Sequence, residues 1–232
     1  MLFVAAEARE FTGLLRFCGK VERVDWPLEW ALRAELNGRR VFLVANGAGP
    51  RRAAEAVEIA RSRFGNGEMD AVVSTGFCGG LDPAMKVGDV FVATGIETED
   101  GLAPVSAPQS RRNYFKGTLV SRDRVAQTAE EKHDLRRSGA SAVEMEAAGV
   151  LSRVREWGKP FYCVRSVTDL AGESFHIDLN SARLADGRFS TPRILVAAVR
   201  RPIMVAPELM ELRRRCAVAA QSLGEFIADC SF

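Results

Sequence analysis

Short apolar runs alternate with amphipathic segments along most of this chain. The runs predict strands at Leu2–Ala6, Trp30–Leu36, Arg40–Ala45, Asp70–Ser74, Val90–Thr94, Tyr114–Ser121, Ala140–Val143 and Pro160–Val164. The amphipathic segments predict helices at Glu7–Phe17, Pro50–Phe64, Arg124–Arg137, Glu144–Trp157 and Pro207–Asp229. Strands that alternate with helices are typical of α/β proteins, in which helices cover both faces of a mostly parallel sheet.

The remaining stretches follow no period. Thr75–Gly80 is a glycine-rich segment directly after a strand, and Gly101–Asn113 and Gly172–Ser190 are polar, so all three are predicted to be loops. No repeat, low-complexity tract or linker interrupts the chain. We therefore expect one domain over residues 1–232.

The composition of the chain argues against several classes of protein. Hydrophobic residues make up 47% of the chain, charged residues 27%, and the net charge is only +2, which argues against a disordered protein and against nucleic-acid or membrane partners. No run approaches the roughly 20 apolar residues that span a bilayer. The start of the chain does not resemble a signal peptide. Five cysteines without CxxC spacing suggest reduced thiols and a cytoplasmic location.

Acidic residues follow two of the apolar runs. Pro160–Val164 leads into Arg165–Asp169, which ends on a hydroxyl and a carboxylate. Ligands bind at the carboxyl ends of strands in α/β sheets, so this is a candidate binding position. Glu144 and Glu146 stand on either side of Met145 at the start of an Ala-rich helical segment. The two stretches favour a site that holds sugar hydroxyls through carboxylates while another carboxylate handles a proton.

A purine nucleoside fits such a site. A purine anion is a poor leaving group, so cleavage of its bond to C1′ of ribose requires protonation of the base. Asp169 is the predicted acid and Thr168 would position it, because a carboxylic acid in a partly desolvated pocket can protonate a base near neutral pH. Glu146 would bind the ribose hydroxyls, with Met145 against the sugar face.

The nucleophile is left open between water and phosphate. Glu10 or Glu7, just after the first strand, would orient a water molecule. Phosphate would instead need backbone N–H groups, such as those of Gly76–Gly80, and arginines. The candidate arginines are Arg51, Arg52, Arg111 and Arg112. No cluster has metal-ligand spacing, so we expect no metal or organic cofactor, and phosphate only as a co-substrate.

Four blocks of the chain, in order, resemble the nucleoside phosphorylase/nucleosidase superfamily, most closely its 5′-methylthioadenosine/S-adenosylhomocysteine nucleosidases. The blocks are Ala6–Glu10, Ser74–Leu81 with Lys86–Asp89, Val143–Glu146, and Arg165–Asp169. The resemblance covers nearly the whole chain. It implies a three-layer α/β/α sandwich around a mostly parallel, mixed and twisted sheet, assembled as a homodimer or larger homo-oligomer.

The resemblance also implies individual roles. Asp169 falls where the family has its purine-protonating Asp, with Thr168 in place of a common Ser. Met145–Glu146 matches the pair at the ribose hydroxyls. Glu10 matches the acid that activates the hydrolytic water, and Arg165 matches an arginine near that water.

The chain departs from the nucleosidase pattern in places. Phe77 and Cys78 replace a small Ser-Ala pair and would crowd the nucleophile pocket. Val125 stands where an aromatic residue often stacks on adenine. Leu184–Arg188 and the later Arg201-Pro202 instead resemble hopanoid-associated phosphorylases, which act on adenosine with a bulky apolar 5′ group.

Three functions follow from these observations. The first is a nucleosidase that releases adenine from a 5′-substituted adenosine, with Asp169 and Glu10 as catalytic residues. The second is a phosphorylase with the same acid and ribose site, and the third is a nucleoside-binding protein without turnover. The predicted substrate-binding residues are Glu144, Met145, Glu146, Thr168, Arg165, Gly76, Phe77, Cys78, Gly79 and Val125.

Overall fold

The computed structural model describes residues 1–64, 69–99, 101–182, 184 and 202–232. Its strands are β1 (Leu2–Ala5), β2 (Gly19–Arg23), β3 (Trp30–Leu36), β4 (Arg39–Ala45), β5 (Val72–Gly80), β6 (Val90–Thr98), β7 (Gly101–Pro104), β8 (Phe115–Ser121), β9 (Ala140–Glu144) and β10 (Phe161–Asp169). Its α-helices are α1 (Pro50–Arg63), α2 (Ala129–Arg137), α3 (Ala147–Arg155), α4 (Leu179–Ala182) and α5 (Pro202–Asp229), and two 3-10 helices span Ala8–Phe11 and Leu14–Phe17.

The described strands form one mixed sheet in the order β10-β6-β8-β9-β5-β1-β4-β3-β2, with β7 beside β6. Strand β10 also pairs with β5, so β5, β9, β8, β6 and β10 close into a ring. The pairings β1–β4, β1–β5, β5–β10, β6–β8 and β8–β9 are parallel, and the others are antiparallel. The predicted mixed α/β class is confirmed.

Helices cover both faces of the sheet because successive side chains of a strand point to opposite sides. In β1, Leu2 and Val4 pack in a buried cluster with Val57 of α1. Phe3 lies on the other face, in a cluster with Phe226 of α5. This gives the three layers that the resemblance implied. Among the described residues, none of the helices has the length and hydropathy required to cross a bilayer.

Several predicted boundaries were wrong. Thr75–Gly80 is not a loop, because β5 continues to Gly80 and pairs there with β9 as well as with β10. Gly101–Asn113 contains β7, and Gly19–Arg23 forms a strand that was not predicted. The segment Glu7–Phe17 forms two short 3-10 helices instead of one α-helix.

Two helices begin later than predicted. Helix α2 starts only at Ala129, because Thr128 caps it: its Oγ1 accepts from the N–H of Glu131 at 3.1 Å. Helix α3 starts at Ala147, and Glu144 ends the preceding strand.

Most of the motif predicted at Leu184–Arg188 lies outside the described residues, which include only its first residue. Arg201 also lies outside them.

Candidate active site

A pocket of about 750 Å³ lies where the carboxyl ends of β1, β5 and β10 converge. Because these strands are parallel, their ends meet at one edge of the sheet. Ten of the residues predicted from the sequence line the pocket: Glu10, Phe77, Cys78, Gly79, Val125, Glu144, Met145, Glu146, Thr168 and Asp169. Arg165 and Gly76 are buried and are not part of its lining.

Glu10 is a buried carboxylate held by backbone N–H groups. It lies on the 3-10 helix that follows β1. Its Oε2 accepts from the N–H of Glu7 at 2.8 Å, and its Oε1 accepts from the N–H of Phe77 at 2.9 Å. Burial raises the pKa of Glu10, although both backbone bonds and the charge of Arg165 act against this rise. A carboxylate with a raised pKa is a better general base than an ordinary glutamate.

Gly76 allows the carboxylate of Glu10 to reach the N–H of Phe77. Its φ is +138°, and a Cβ built on it would lie 2.5 Å from Oε1 of Glu10. Only glycine adopts such a backbone conformation readily and leaves room for the carboxylate. The structure therefore explains Gly76 as a residue that admits Glu10, and not as a pocket wall.

Glu7, the alternative base, is in a different environment. Its side chain also lines the pocket, but it is 39% exposed and pairs with Arg9 at 2.5 Å. Glu10 is the more deeply buried of the two carboxylates. The geometry therefore favours Glu10 as the group that would orient a nucleophile.

Glu144 and Arg165 form a buried ion pair beside the pocket. Nη2 of Arg165 lies 2.5 Å from Oε2 of Glu144 and 2.8 Å from Oγ of Ser74. Glu144 also accepts from the backbone N–H groups of Glu146 and Ala147, at 2.8 and 2.9 Å. A buried pair of this kind requires such extra partners to offset desolvation. These contacts indicate that the pair positions the start of α3 and, with it, Glu146.

Glu146 stands at the N-cap position of α3 and is 9% exposed. Its Oε1 accepts from the N–H of Gly49 at 2.9 Å. Burial, and then the negative charge of Glu144, raise the pKa of Glu146 to about 8. The adjoining Met145 is buried and also lines the pocket. Met145 and Glu146, the residues predicted to contact the ribose, therefore both line this pocket.

Asp169 is the last residue of β10, beyond a register shift that sets it opposite Gly79 of β5. Such irregularities redirect side chains at strand ends. Oγ1 of Thr168 lies 3.1 Å from Oδ1 of Asp169. On the other side, Nζ of Lys132 lies 2.6 Å from Oδ2. Both carboxylate oxygens therefore have a donor.

A family model described as the Phosphorylase superfamily matches residues 30–122 and 106–200. The chain belongs to this superfamily. A curated relative from Exiguobacterium sp., named 5′-methylthioadenosine/S-adenosylhomocysteine nucleosidase, is 24% identical over 196 residues, which cover 72% of this chain and 82% of the relative. A relative of the same name from Staphylococcus aureus is 27% identical, covering 66% of this chain and 80% of its own.

Solved structures share the superfamily fold. A nucleosidase of the same name from Neisseria meningitidis, in complex with methylthio-immucillin-A, is 22% identical with a TM-score of 0.70. The match covers 98% of this chain and 96% of the other. Futalosine hydrolase of Helicobacter pylori is 20% identical, with a TM-score of 0.69 and coverage of 98% and 95%.

Several residues of the pocket wall were not predicted from the sequence. Phe175 and Leu179 come from the segment predicted to be a loop, and three apolar residues come from helix α5. Helical periodicity indicates that α5 has a buried face, but it does not indicate what that face covers. The missed wall residues include Trp30, Ala48, Phe175, Leu179, Leu209, Leu212 and Cys216.

Val125 and Lys132 complete the described site. The side-chain amide of Asn180 bonds the backbone of Val125 in both directions, at 2.9 and 3.0 Å. Lys132 was not predicted, although it lies three residues before Leu135 and the two form the buried face of α2.

Among the described residues, no group of three or more His, Cys, Asp or Glu is placed to hold a metal ion.

Proposed function

We propose that the protein is a purine nucleosidase, which hydrolyses the N-glycosidic bond of a 5′-substituted adenosine and releases adenine. The substrate would be of the methylthioadenosine or S-adenosylhomocysteine type. The names of the curated relatives support this substrate class. The site supports the reaction, because Asp169, Glu146 and Glu10 all face one pocket.

The position of Glu10 is the observation that favours water over phosphate as the nucleophile. Its carboxylate already accepts from the N–H of Phe77. A phosphate would have to replace this carboxylate at the N–H or lie beside it, and like charges in a poorly solvated site repel strongly. A water molecule, in contrast, would donate a proton to the same carboxylate.

The arginines considered for phosphate lie elsewhere. None of Arg51, Arg52, Arg111 and Arg112 is among the pocket residues. Arg111 pairs with Asp229, and Arg112 pairs with Glu225, both on α5. These positions give no support to a phosphorylase.

The residues would act in sequence on one substrate. Asp169 donates its proton to the purine as the bond to C1′ breaks, and the bond's electron pair passes to the base. Glu146 holds the ribose hydroxyls and so fixes the sugar for attack at C1′. Glu10 accepts the proton of the water that adds to C1′. Acid and base catalysis of this kind each contribute about 10²- to 10⁴-fold.

We also propose that the enzyme is a cytoplasmic homo-oligomer that requires no cofactor. The five cysteines are free thiols, as a reducing compartment would keep them. The oligomer is proposed on the resemblance to the nucleosidases. Acid, base and sugar ligand are all supplied by side chains, so the proposed reaction needs no metal or organic group.

Chromatography of the released base tests the reaction. The panel is methylthioadenosine, S-adenosylhomocysteine, adenosine, inosine and an adenosine with a long apolar 5′ chain, each with and without phosphate. We expect free adenine and free sugar in phosphate-free buffer. A sugar 1-phosphate formed only with phosphate would identify a phosphorylase. Binding without turnover of any substrate would favour the non-catalytic alternative.

Glu10→Gln tests the base, and Glu7→Gln is its matched control. We expect Glu10→Gln to lower kcat by about 10²-fold or more, because the amide cannot accept the proton of the water. Glu7→Gln should stay within about threefold of the wild type, since Glu7 is partly exposed and paired with Arg9. The opposite ranking would assign the role to Glu7.

A further inference from the structure

Lys132 is a completely buried ammonium at the edge of the pocket. Its Nζ contacts three oxygens: Oδ2 of Asp169 at 2.6 Å, the carbonyl oxygen of Leu170 at 2.9 Å and that of Glu173 at 3.2 Å. An ammonium has three N–H donors, and each of these oxygens can accept one. The side chain of Lys132 is 0% exposed. Burial of a charge is costly unless it is paired and hydrogen-bonded, as here.

The charges around Lys132 single out Asp169 as its partner. Glu173 presents only its carbonyl oxygen to Nζ, because its carboxylate pairs with Arg215 of α5 at 2.7 and 3.0 Å. The ammonium also lies 5.3 Å from the ring centre of Phe175, a pocket residue. Lys132 therefore joins α2 to Asp169 and to the segment that brings Phe175 to the pocket.

We propose that Lys132 is a positioning residue for Asp169 in protonation of the purine. With Thr168 at Oδ1 and Lys132 at Oδ2, the plane of the carboxyl group is fixed relative to the pocket. The inference rests on the proposed function, since it assigns Lys132 to the leaving-group step of that reaction.

The ammonium would act most strongly as the proton moves. Asp169 first takes up a proton from solvent; its O–H bond then breaks, an N–H bond forms on the purine, and the C1′–N bond releases its electron pair to the base. Asp169 is then a carboxylate beside Lys132. An interaction that grows as charge develops lowers the barrier, in contrast to one that is equal before and during the reaction. Loss of Lys132 should therefore lower kcat more than it raises KM.

A substrate whose leaving group needs no proton separates this role from a structural one. Lys132→Met would be assayed on methylthioadenosine and on the corresponding 4-nitrophenyl 5-methylthioriboside, which releases a stable phenolate. We expect kcat on the nucleoside to fall by about 10- to 100-fold with KM within threefold. The aryl riboside should change by less than about threefold, and Asp169→Asn should show the same selectivity. Lys116→Met, at an exposed position of β8, is the matched control and should behave as the wild type on both substrates.

Equal losses on both substrates, or wild-type rates in Lys132→Met, would overturn the inference. Should Lys132→Met not fold, the double variant Lys132→Met/Asp169→Asn, which removes both buried charges, is compared with Asp169→Asn alone. Equal rates would support action through Asp169, and a further loss in the double variant would contradict it. A wild-type enzyme that cleaves no nucleoside would refute the proposed function itself, whereas an active wild type with an equally active Lys132→Met would refute only this inference.

Discussion

At the scale of single residues, the contact between Gly76 and Glu10 shows how closely the site is packed. A Cβ at position 76 would lie 2.5 Å from Oε1 of Glu10. We expect Gly76→Ala to displace the carboxylate from the N–H of Phe77 and to lower kcat by about 10²-fold, comparable to loss of the base itself. Steady-state kinetics with a thermal unfolding curve would measure this. Gly19→Ala, where a Cβ meets nothing within 4 Å, should leave kcat unchanged, and a fully active Gly76→Ala would contradict the assigned role of Glu10.

The raised pKa of Glu146 predicts how stability depends on pH. In the folded protein its pKa is about 8, against 4.5 as the ordinary value. The folded state therefore binds this proton more tightly than the unfolded state. The free energy of unfolding should fall as pH rises from about 5 to 8, at most by about 1.4 kcal/mol per unit of pKa shift.

Urea unfolding at several pH values would measure this effect. Glu146→Gln cannot lose the proton, so its stability should fall less over the same range. Burial also raises the pKa of Glu10, which contributes in the same direction, so the variant's curve should be flatter without being level. Parallel curves for the wild type and the variant would show that Glu146 keeps an ordinary pKa in the folded protein.

At the scale of elements, helix α5 packs directly on the backbone that leads from the first strand. A Cβ on Gly224 would lie 2.2 Å from the backbone carbon of Gly13, between the two 3-10 helices. Backbone cannot move aside as a flexible side chain does. We expect Gly224→Ala to destabilise the protein by about 1–3 kcal/mol, as overpacking of a dense core does. Denaturant unfolding would measure the loss, with the exposed Gln221→Ala on the same helix as control; equal stability of the two variants would contradict this packing.

The elements that were predicted correctly have the strongest patterns. Trp30–Leu36 has the alternation of a strand, and α1 has the periodicity of a helix. The bounds of both elements were therefore predicted to within a few residues. Thr75–Gly80 was misassigned because glycine has low strand propensity, and pairing on both sides outweighed this. Glu144 was placed in a helix, but it ends a strand, and its carboxylate accepts from the first backbone N–H groups of that helix. The local pattern of the sequence carries no information about such tertiary contacts.

At the scale of the whole molecule, parallel topology made much of the site predictable. Asp169 ends one strand and Glu10 follows another, and the carboxyl ends of these strands lie at one edge of the sheet, so their convergence on one pocket follows from the order of strands. Lys132 could not be predicted in the same way. Its partner lies in another element far along the chain, and in the sequence it is one basic residue in a charged helix. The closure of the ring by β10 and β5 likewise depends on long-range pairing.

Residues that are far apart in the sequence meet in the pocket wall, and this has a consequence for biosynthesis. Glu7 and Glu10 are translated well before Leu209, Leu212 and Cys216, which line the same pocket. A nascent chain that has emerged through Asp169 already contains the acid, the base and the sugar-binding carboxylate. It does not yet contain the residues of helix α5 that line the same pocket. The described pocket is therefore completed only after helix α5 leaves the ribosome, and a chain that stops before Leu209 lacks part of its binding surface.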